Sequence, residues 1–225
     1  MRAFSERALA DAADNPDWCV LRSGWFGRTF IGGEIKPDVL DLAVQQLCKT
    51  GQVLLDLGDH RATSFPSGAT EIEPRIEFYD RSPDNVSVDR LIASVPDKLE
   101  VRPVTHETFS HCASRKQLHS VFGTASGYLE RSIGFLLVDG KRILSEAHAF
   151  FWGDTVVEIG VYTEDGHRGL GYASIVSAYL VRACENRGYT TYWGCHVNNL
   201  ASASVARKLG YRVQTEYTLV CYPAT

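Results

Sequence analysis

Apolar and polar positions change period several times along the chain, and each change marks an expected element. Over 37–50, Leu40, Ala43, Val44 and Leu47 recur at three- and four-residue intervals behind Pro37 and ahead of Gly51, which predicts an amphipathic helix with its own start and stop. A further helix is expected over 5–13, and strands over 28–31, 53–57 and 75–79, where β-branched and aromatic residues gather. From residue 99 the pattern becomes regular. A short strand over 99–102 precedes helices over 105–117 and 125–130. The stretches 134–138 and 142–151 then flank Asp139-Gly140, a dipeptide that suits the φ > 0 positions of a tight hairpin, so two antiparallel strands are expected. An alternating segment over 155–162 extends this meander. After a glycine-rich turn come a helix over 171–187 ended by Gly188, a strand over 190–197 and a helix over 200–209 stopped at Gly210. One or two strands over 211–222 close the chain.

Loop composition places a domain boundary near Pro96-Asp97-Lys98, after the polar run from Asp80 to Asn85. That boundary separates an α/β companion region, 1–95, from a second domain, 96–225. A chain of 225 residues is long enough to bury most of its apolar surface without staples. Its 23 basic and 27 acidic side chains leave −4, which removes the general attraction to phosphate of a nucleic-acid binder. The six cysteines contain no Cys-x-x-Cys pair and no histidine at finger spacing. Neither a metal site nor a disulfide framework is therefore expected, and buried thiols in a reducing cytosol are. Charges interrupt the N-terminal segment, and no stretch approaches the ~20 apolar residues of a membrane span, so a cytoplasmic protein with no membrane partner is the expectation.

Chemistry concentrates in the turn Val161-Tyr-Thr-Glu-Asp-Gly-His167-Arg168-Gly169-Leu170-Gly171-Tyr172-Ala173, between a strand and the long helix. The start of a helix presents unpaired N–H groups and a partial positive charge, and glycines there let main chain approach an anion closely. No Lys-Ser/Thr follows the glycines as in a P-loop, and Ser174 stands where a dinucleotide fingerprint has its third glycine. Further on, Asn198-Asn199-Leu-Ala-Ser202 through Val205-Ala206-Arg-Lys208-Leu209-Gly210-Tyr211 forms a second constellation, in which Asn199 can cap a short helix and Gly210 can end it.

Together, in this order and with a strand between them, the two segments resemble the GNAT superfamily of acyl-CoA-dependent N-acyltransferases. Its first signature, Gln/Arg-x-x-Gly-x-Gly/Ala, is matched by Arg168, Gly171 and Ala173. Its second, Asn-x-x-Ala/Ser followed by Gly-Phe/Tyr, is matched by Asn199, Ser202 and Gly210-Tyr211. Trp193-Gly-Cys195 and Ala206-Arg-Lys208-Leu-Gly-Tyr211 are similar to a bacterial GNAT acetyltransferase branch that includes zwittermicin-resistance-type enzymes. The resemblance covers residues 99–222 and implies an α/β fold with a mixed, mostly antiparallel sheet, splayed into a central V and flanked by helices, beside the smaller N-terminal α/β part.

The resemblance also implies a site. Acetyl-CoA would lie in the V, with pantetheine along Ile159-Gly160-Val161, pyrophosphate on the amides of His167, Arg168, Gly169, Leu170, Gly171, Tyr172 and Ala173, and Asn199 and Ser202 opposite. The acceptor would be an amine-bearing small molecule, antibiotic-like or of amino-sugar or amino-acid type. A peptide or protein amine, and a non-catalytic acyl-CoA-binding module, are the alternatives. An amine is protonated at neutral pH, so direct transfer needs a base, and Glu158 is the first candidate. His196 is the second, and Glu146, which shares a face with His148, can line the acceptor pocket or bind the amine. Many relatives place a tyrosine as general acid where this chain has Ala206, so either another group serves, with Tyr172, Tyr211 and Tyr217 available but unplaced, or the thiolate leaves unassisted. An open strand edge is compatible with a homodimer.

Overall fold

The computed structural model describes residues 7–12, 14–22, 27–56, 65–81, 86–152 and 155–225. Contacts divide the chain into one unit made of residues 1–76 and 215–225 and another made of residues 77–214.

In the first unit β1 (Arg7–Ala10), β2 (Trp18–Arg22) and β3 (Arg28–Gly33) form an antiparallel meander, with Leu9 opposite Val20 and Val20 opposite Ile31. Next comes α1 (Pro37–Cys48), which starts on Pro37, where a missing N–H is no loss, and buries Leu40, Ala43, Val44 and Leu47 on the expected face. Parallel to β3 runs β4 (Val53–Asp56), and residues 219–222 lie antiparallel against β4. Val20, Val53, Leu55 and Val220 are fully buried here. The helix expected over 5–13 is a misreading: residues 7–10 form β1. Its alanine- and leucine-rich sequence favours a helix only weakly, and so short a helix is marginal alone. Backbone pairing of Leu9 and its neighbours with β2 prevails.

The strand β5 (Glu71–Tyr79) has residues in both units. In the second unit α2 (Val86–Ile92), which the sequence pattern did not reveal, precedes β6 (Glu100–Pro103). The helices α3 (His106–Phe109), α4 (Arg115–Phe122) and α5 (Ala125–Arg131) follow. Next come β7 (Gly134–Asp139), β8 (Arg142–Trp152) and β9 (Val156–Thr163). Then α6 (Tyr172–Glu185), β10 (Thr190–His196), α7 (Leu200–Lys208) and β11 (Arg212–Tyr222) complete the chain. The strand order in this unit includes β10-β9-β8-β7-β6, antiparallel except for the β9/β10 junction. A three-stranded meander, a helix and a returning parallel strand thus occur in both units. The boundary expected at 95/96 falls inside the second unit, between α2 and β6, because β5 and β11 each run from one unit into the other.

Alternation gives the β7–β9 meander two faces. Phe135 meets Tyr179 of α6 at 6.0 Å between ring centroids, and Ala147, Ala149, Val157 and Ile159 share Phe135's face. On the other face Phe150 stacks on Phe122 of α4 at 6.2 Å, and the Tyr128 hydroxyl of α5 bonds His148 Nδ1 at 2.7 Å. Glu146, Glu158, Gly160 and Tyr162 belong to this second face.

One expected helix, over 105–117, is two. A capping box between Thr105 and Thr108 opens α3, and the chain turns before α4 begins. Glu146, on β8 and fully buried, causes the restart: its oxygens accept the Ala113 and Ser114 amides at 2.9 and 2.7 Å. Ser114 itself caps nothing with its side chain, so the cap comes from a strand more than thirty positions away, which no local pattern announces.

Burial opposes the charge of Glu146, but the neighbouring His148, whose Nε2 lies 3.5 Å away, and the Ser114 amide outweigh it and hold the carboxyl below its ordinary value. A depressed carboxyl stabilises the fold above the ordinary carboxylate range, and this contribution is lost as pH falls through the lowered value. Glu146→Ala is expected to cost about 3–5 kcal/mol in chemical denaturation near neutrality. Glu146→Gln should flatten the acid side of the stability–pH curve. At Gly134 a β-carbon would overlap the Tyr128 hydroxyl and come within 2.9 Å of His148 Nδ1. Gly134→Ala should therefore lower stability by about 1–3 kcal/mol, and a melting temperature equal to wild type would contradict this packing.

Candidate active site

The parallel ladder between β9 and β10 is short. Thr190 faces Val156, Thr191 faces Val157 and Tyr192 faces Glu158, and there the pairing stops, whereas β9 stays paired to β8 as far as Thr163. Beyond Glu158 and Tyr192 the two strands form the arms of a V. At its apex the Tyr192 hydroxyl donates to a Glu158 carboxylate oxygen at 2.9 Å. Tyr192 is buried and stacks on Tyr79 at 5.2 Å, while Glu158 is half-buried.

From the end of β9 the chain passes through a single 3₁₀ turn, Asp165–His167, into Arg168, Gly169, Leu170 and Gly171. Gly169 and Gly171 have φ of 79° and 84°, left-handed values that side-chain-bearing residues avoid. Gly171 is the N-cap of α6, with no side-chain cap and no acidic residue in the first turn, so among the described residues the opening amides of α6 have no side-chain acceptor. Nothing lies within 4 Å of where a β-carbon would stand on either glycine. The glycines serve the backbone conformation and keep the space before these amides open. Arg168 is an exposed side chain paired with Asp165 at 2.7 Å, and its guanidinium sits 5.9 Å from the Tyr162 ring centroid.

A cavity of about 430 Å³ lies at this turn. Of the residues expected from sequence to hold the cofactor, Val161, His167, Arg168, Gly169, Gly171, Tyr172, Ala173, Asn199 and Ser202 line it, whereas Ile159, Gly160 and Leu170 do not. Ile159 is buried on the α6 face, Gly160 packs against the Phe150 ring, and Leu170 points its side chain out with 58% exposed. Asn199 caps α7 by accepting the Ser202 amide at 3.0 Å, and the Ser202 hydroxyl accepts from Trp193 Nε1 at 2.9 Å, which ties α7 to one arm of the V. Sequence reasoning missed Tyr162, Thr163 and Ser174, and on α7 Ala201, Ser204, Val205 and Lys208. Helical period separates these α7 positions from the buried Ala203 and Ala206, but it says nothing of what the exposed face looks toward.

The three candidate catalytic groups are not brought together. Glu158 stands at the apex of the V. His196 ends the β10 arm, and its Nδ1 accepts the Asn198 amide at 3.1 Å. Glu146 borders a small pocket of about 40 Å³ with His111, Tyr162 and Glu164, but both its oxygens hold the start of α4. Among the tyrosines, Tyr172 lines the cavity. Tyr211 is buried, donates to Thr191 Oγ1 at 2.5 Å and has its hydroxyl pushed up by burial. Tyr217 belongs to the first unit and bonds Arg75.

Cys112 Sγ, a Glu146 oxygen and a His148 ring nitrogen lie within 4.8 Å of one another, a donor set of a kind that metals use. Here, though, amides engage Glu146 and the Tyr128 hydroxyl engages Nδ1 of His148. Burial, then the Glu146 charge, pushes the Cys112 thiol up to about 12, far from the thiolate that a metal binds.

Comparison with known proteins bears on the family and the fold. The model of the GNAT acetyltransferase family matches residues 4–220. YdfB of Bacillus subtilis (strain 168), an uncharacterized N-acetyltransferase, is 28% identical over 127 residues, which are 56% of this chain and 49% of YdfB, so the match spans about half of that relative. A GCN5-related N-acetyltransferase-like protein from Streptococcus suis 89/1591 has the same fold at a TM-score of 0.75 and 19% identity, over 96% of this chain and 87% of the other. A tandem GNAT protein from the clavulanic acid biosynthesis pathway superposes with a TM-score of 0.66 at 8% identity, over 98% and 83%. Among the described residues no helix is long and apolar enough to cross a membrane. The chain belongs to the GNAT acetyltransferase family, whose acyl donor is acetyl-CoA.

Proposed function

We propose that the protein transfers the acetyl group of acetyl-CoA directly to the primary amine of a small molecule, with the donor lying in the V between β9 and β10. The observation that carries this reading is the early end of the β9/β10 ladder. Past Glu158 the β9 edge facing β10 has no strand partner among the described residues, and an extended pantetheine arm offers amide groups that can pair with it. That edge leads into the cavity lined by the uncapped start of α6, where the backbone would take the pyrophosphate. The thioester supplies an activated acetyl carbon, and the rest is proton handling by this chain. Glu158 would remove the proton from the attacking amine, its carboxylate oriented by the Tyr192 hydroxyl. His196, at the end of the other arm, is the second candidate base. Glu146 acts at one remove, by fixing the start of α4 over the same sheet face. The support for an antibiotic-type amine among the small-molecule acceptors is the likeness of Trp193-Gly-Cys195 and Ala206-Arg-Lys208 to the zwittermicin-resistance-type branch.

A second reading, an acyl-CoA-binding module without turnover, draws on Ala206, which is fully buried where many relatives carry a tyrosine. The two readings separate in one assay, thiol release from acetyl-CoA across a panel of small-molecule amines, amino sugars and peptides. Turnover with a small-molecule amine is the expected result; binding of acetyl-CoA with no thiol release from any amine would favour the module. In Glu158→Gln kcat should fall by ~100-fold or more, with KM for acetyl-CoA little changed. Equal kcat in that variant would remove Glu158 as the base. Gly171→Val, which forces a β-branched residue into a left-handed backbone and fills the open space, should abolish measurable acetyl-CoA binding in titration calorimetry.

A further inference from the structure

The strand β5 lies beside β10 in the sheet, and its last three residues, Glu77, Phe78 and Tyr79, belong to the same unit as β10. They precede the segments that carry the family's signatures, and no motif marks them. Four successive residues here nevertheless meet four different elements of the unit. Phe78 is fully buried, and the Arg207 guanidinium of α7 covers its ring at 5.5 Å. Tyr79 stacks on Tyr192 of β10, with ring centroids 5.2 Å apart and planes 19° from parallel. Asp80 pairs with Arg212 at the start of β11, and Arg81 with Glu185 of α6. Neighbouring strand residues point to opposite faces, so Phe78 and the two ion pairs hold the backbone from which the Tyr79 ring projects. The far end of that ring is held as well, because its hydroxyl donates to a Glu77 carboxylate oxygen at 2.9 Å.

A tyrosine hydroxyl stands at the end of a long lever, two torsions from the backbone, so a hydrogen bond that it makes is only as fixed as its ring. The Tyr192 hydroxyl that donates to Glu158 depends in this way on what the Tyr192 ring rests against. We propose that Tyr79 is a positioning residue for the base: by stacking on Tyr192 it fixes the hydroxyl that orients the Glu158 carboxylate. This rests on the reading that Glu158 takes the proton from the attacking amine. That proton must be met at hydrogen-bonding distance, and a carboxylate free to swing spends part of its time out of reach. Tyr79 therefore acts on the chemical step and not on acetyl-CoA binding, since the glycine turn follows the far end of β9. The competing role is packing alone, in which the two rings bury surface between β5 and β10. That role predicts a loss of stability and no interplay with Glu158.

The experiment is a double-mutant cycle on the full chain, read as thiol release from acetyl-CoA with the panel amine that wild type acetylates fastest. Tyr79→Leu should lower kcat by ~10-fold, the scale of one hydrogen bond to a charged group, with KM for acetyl-CoA changed by less than about twofold. Tyr79→Phe keeps the ring and should recover kcat to within about threefold of wild type. In a Glu158→Gln background Tyr79→Leu should cost nothing further, because the group that it positions is gone. Should Tyr79→Leu not fold, Tyr79→Met takes its place in the cycle. A crystal structure of the ring-deleted variant should show the Tyr192 hydroxyl beyond hydrogen-bonding distance of Glu158. The same ~10-fold loss in both backgrounds, or wild-type kcat in Tyr79→Leu, would overturn the assignment while leaving Glu158 as the base. Equal kcat in Glu158→Gln and wild type, or no thiol release by wild type with any amine, would remove the base itself, and the role of Tyr79 with it.

Discussion

The site depends on a pairing that stops. Parallel strands normally continue to exchange hydrogen bonds until one of them ends, yet β10 leaves β9 after Tyr192 although both strands run on. On its other edge β9 remains paired to β8 through Thr163, so the arm that carries Ile159, Gly160 and Val161 is held on one side and, among the described residues, has no strand partner on the other. The opposite arm is held from outside, through Trp193 Nε1 and the Ser202 hydroxyl, by a helix that Asn199 caps. Each arm thus has its own support, a strand for one and a capped helix for the other.

The turn that leaves β9 is equally economical in side chains. The protein carries −4 overall, and the arginine of its glycine turn is paired with Asp165, yet the same turn offers an anion the opening amides of a fourteen-residue helix. Net charge describes long-range attraction, whereas recognition at a helix terminus is a matter of a few oriented dipoles at short range. The first unit shows the contrast. It has a meander, a helix and a parallel strand in the same order, but α1 starts on Pro37, which has no N–H to give, and Asp38 puts a negative charge in its first turn. The order of elements is shared by both units, while the glycine turn with an uncapped helix start belongs to one.

Much of this was readable in the residues. The meander, α6, β10 and α7 stand where period, Asp139-Gly140, Gly188 and Gly210 put them, because each is specified by contacts close in sequence. Readings failed where a distant partner decides. Residues 7–10 are a strand because β2 is beside them, and the helix over 105–117 breaks because Glu146 reaches its middle from β8. The glycine turn and Asn199 were legible as local motifs. The α7 lining of the cavity was not, since spacing shows which residues share a helix face and not what that face meets. Glu146 illustrates the same limit for chemistry. The face it shares with His148 was deducible from alternation, but its burial and its two amide partners appear only once α4 is folded over the sheet.

The central claim, that the V and its glycine turn form one continuous acyl-CoA site, is tested most directly by a crystal structure of the chain with CoA bound. The account predicts pyrophosphate oxygens within hydrogen-bonding distance of main-chain amides between residues 168 and 173, and pantetheine amides paired with the backbone of residues 159–161. CoA lying outside the V, or a pyrophosphate held by side chains away from the start of α6, would contradict it.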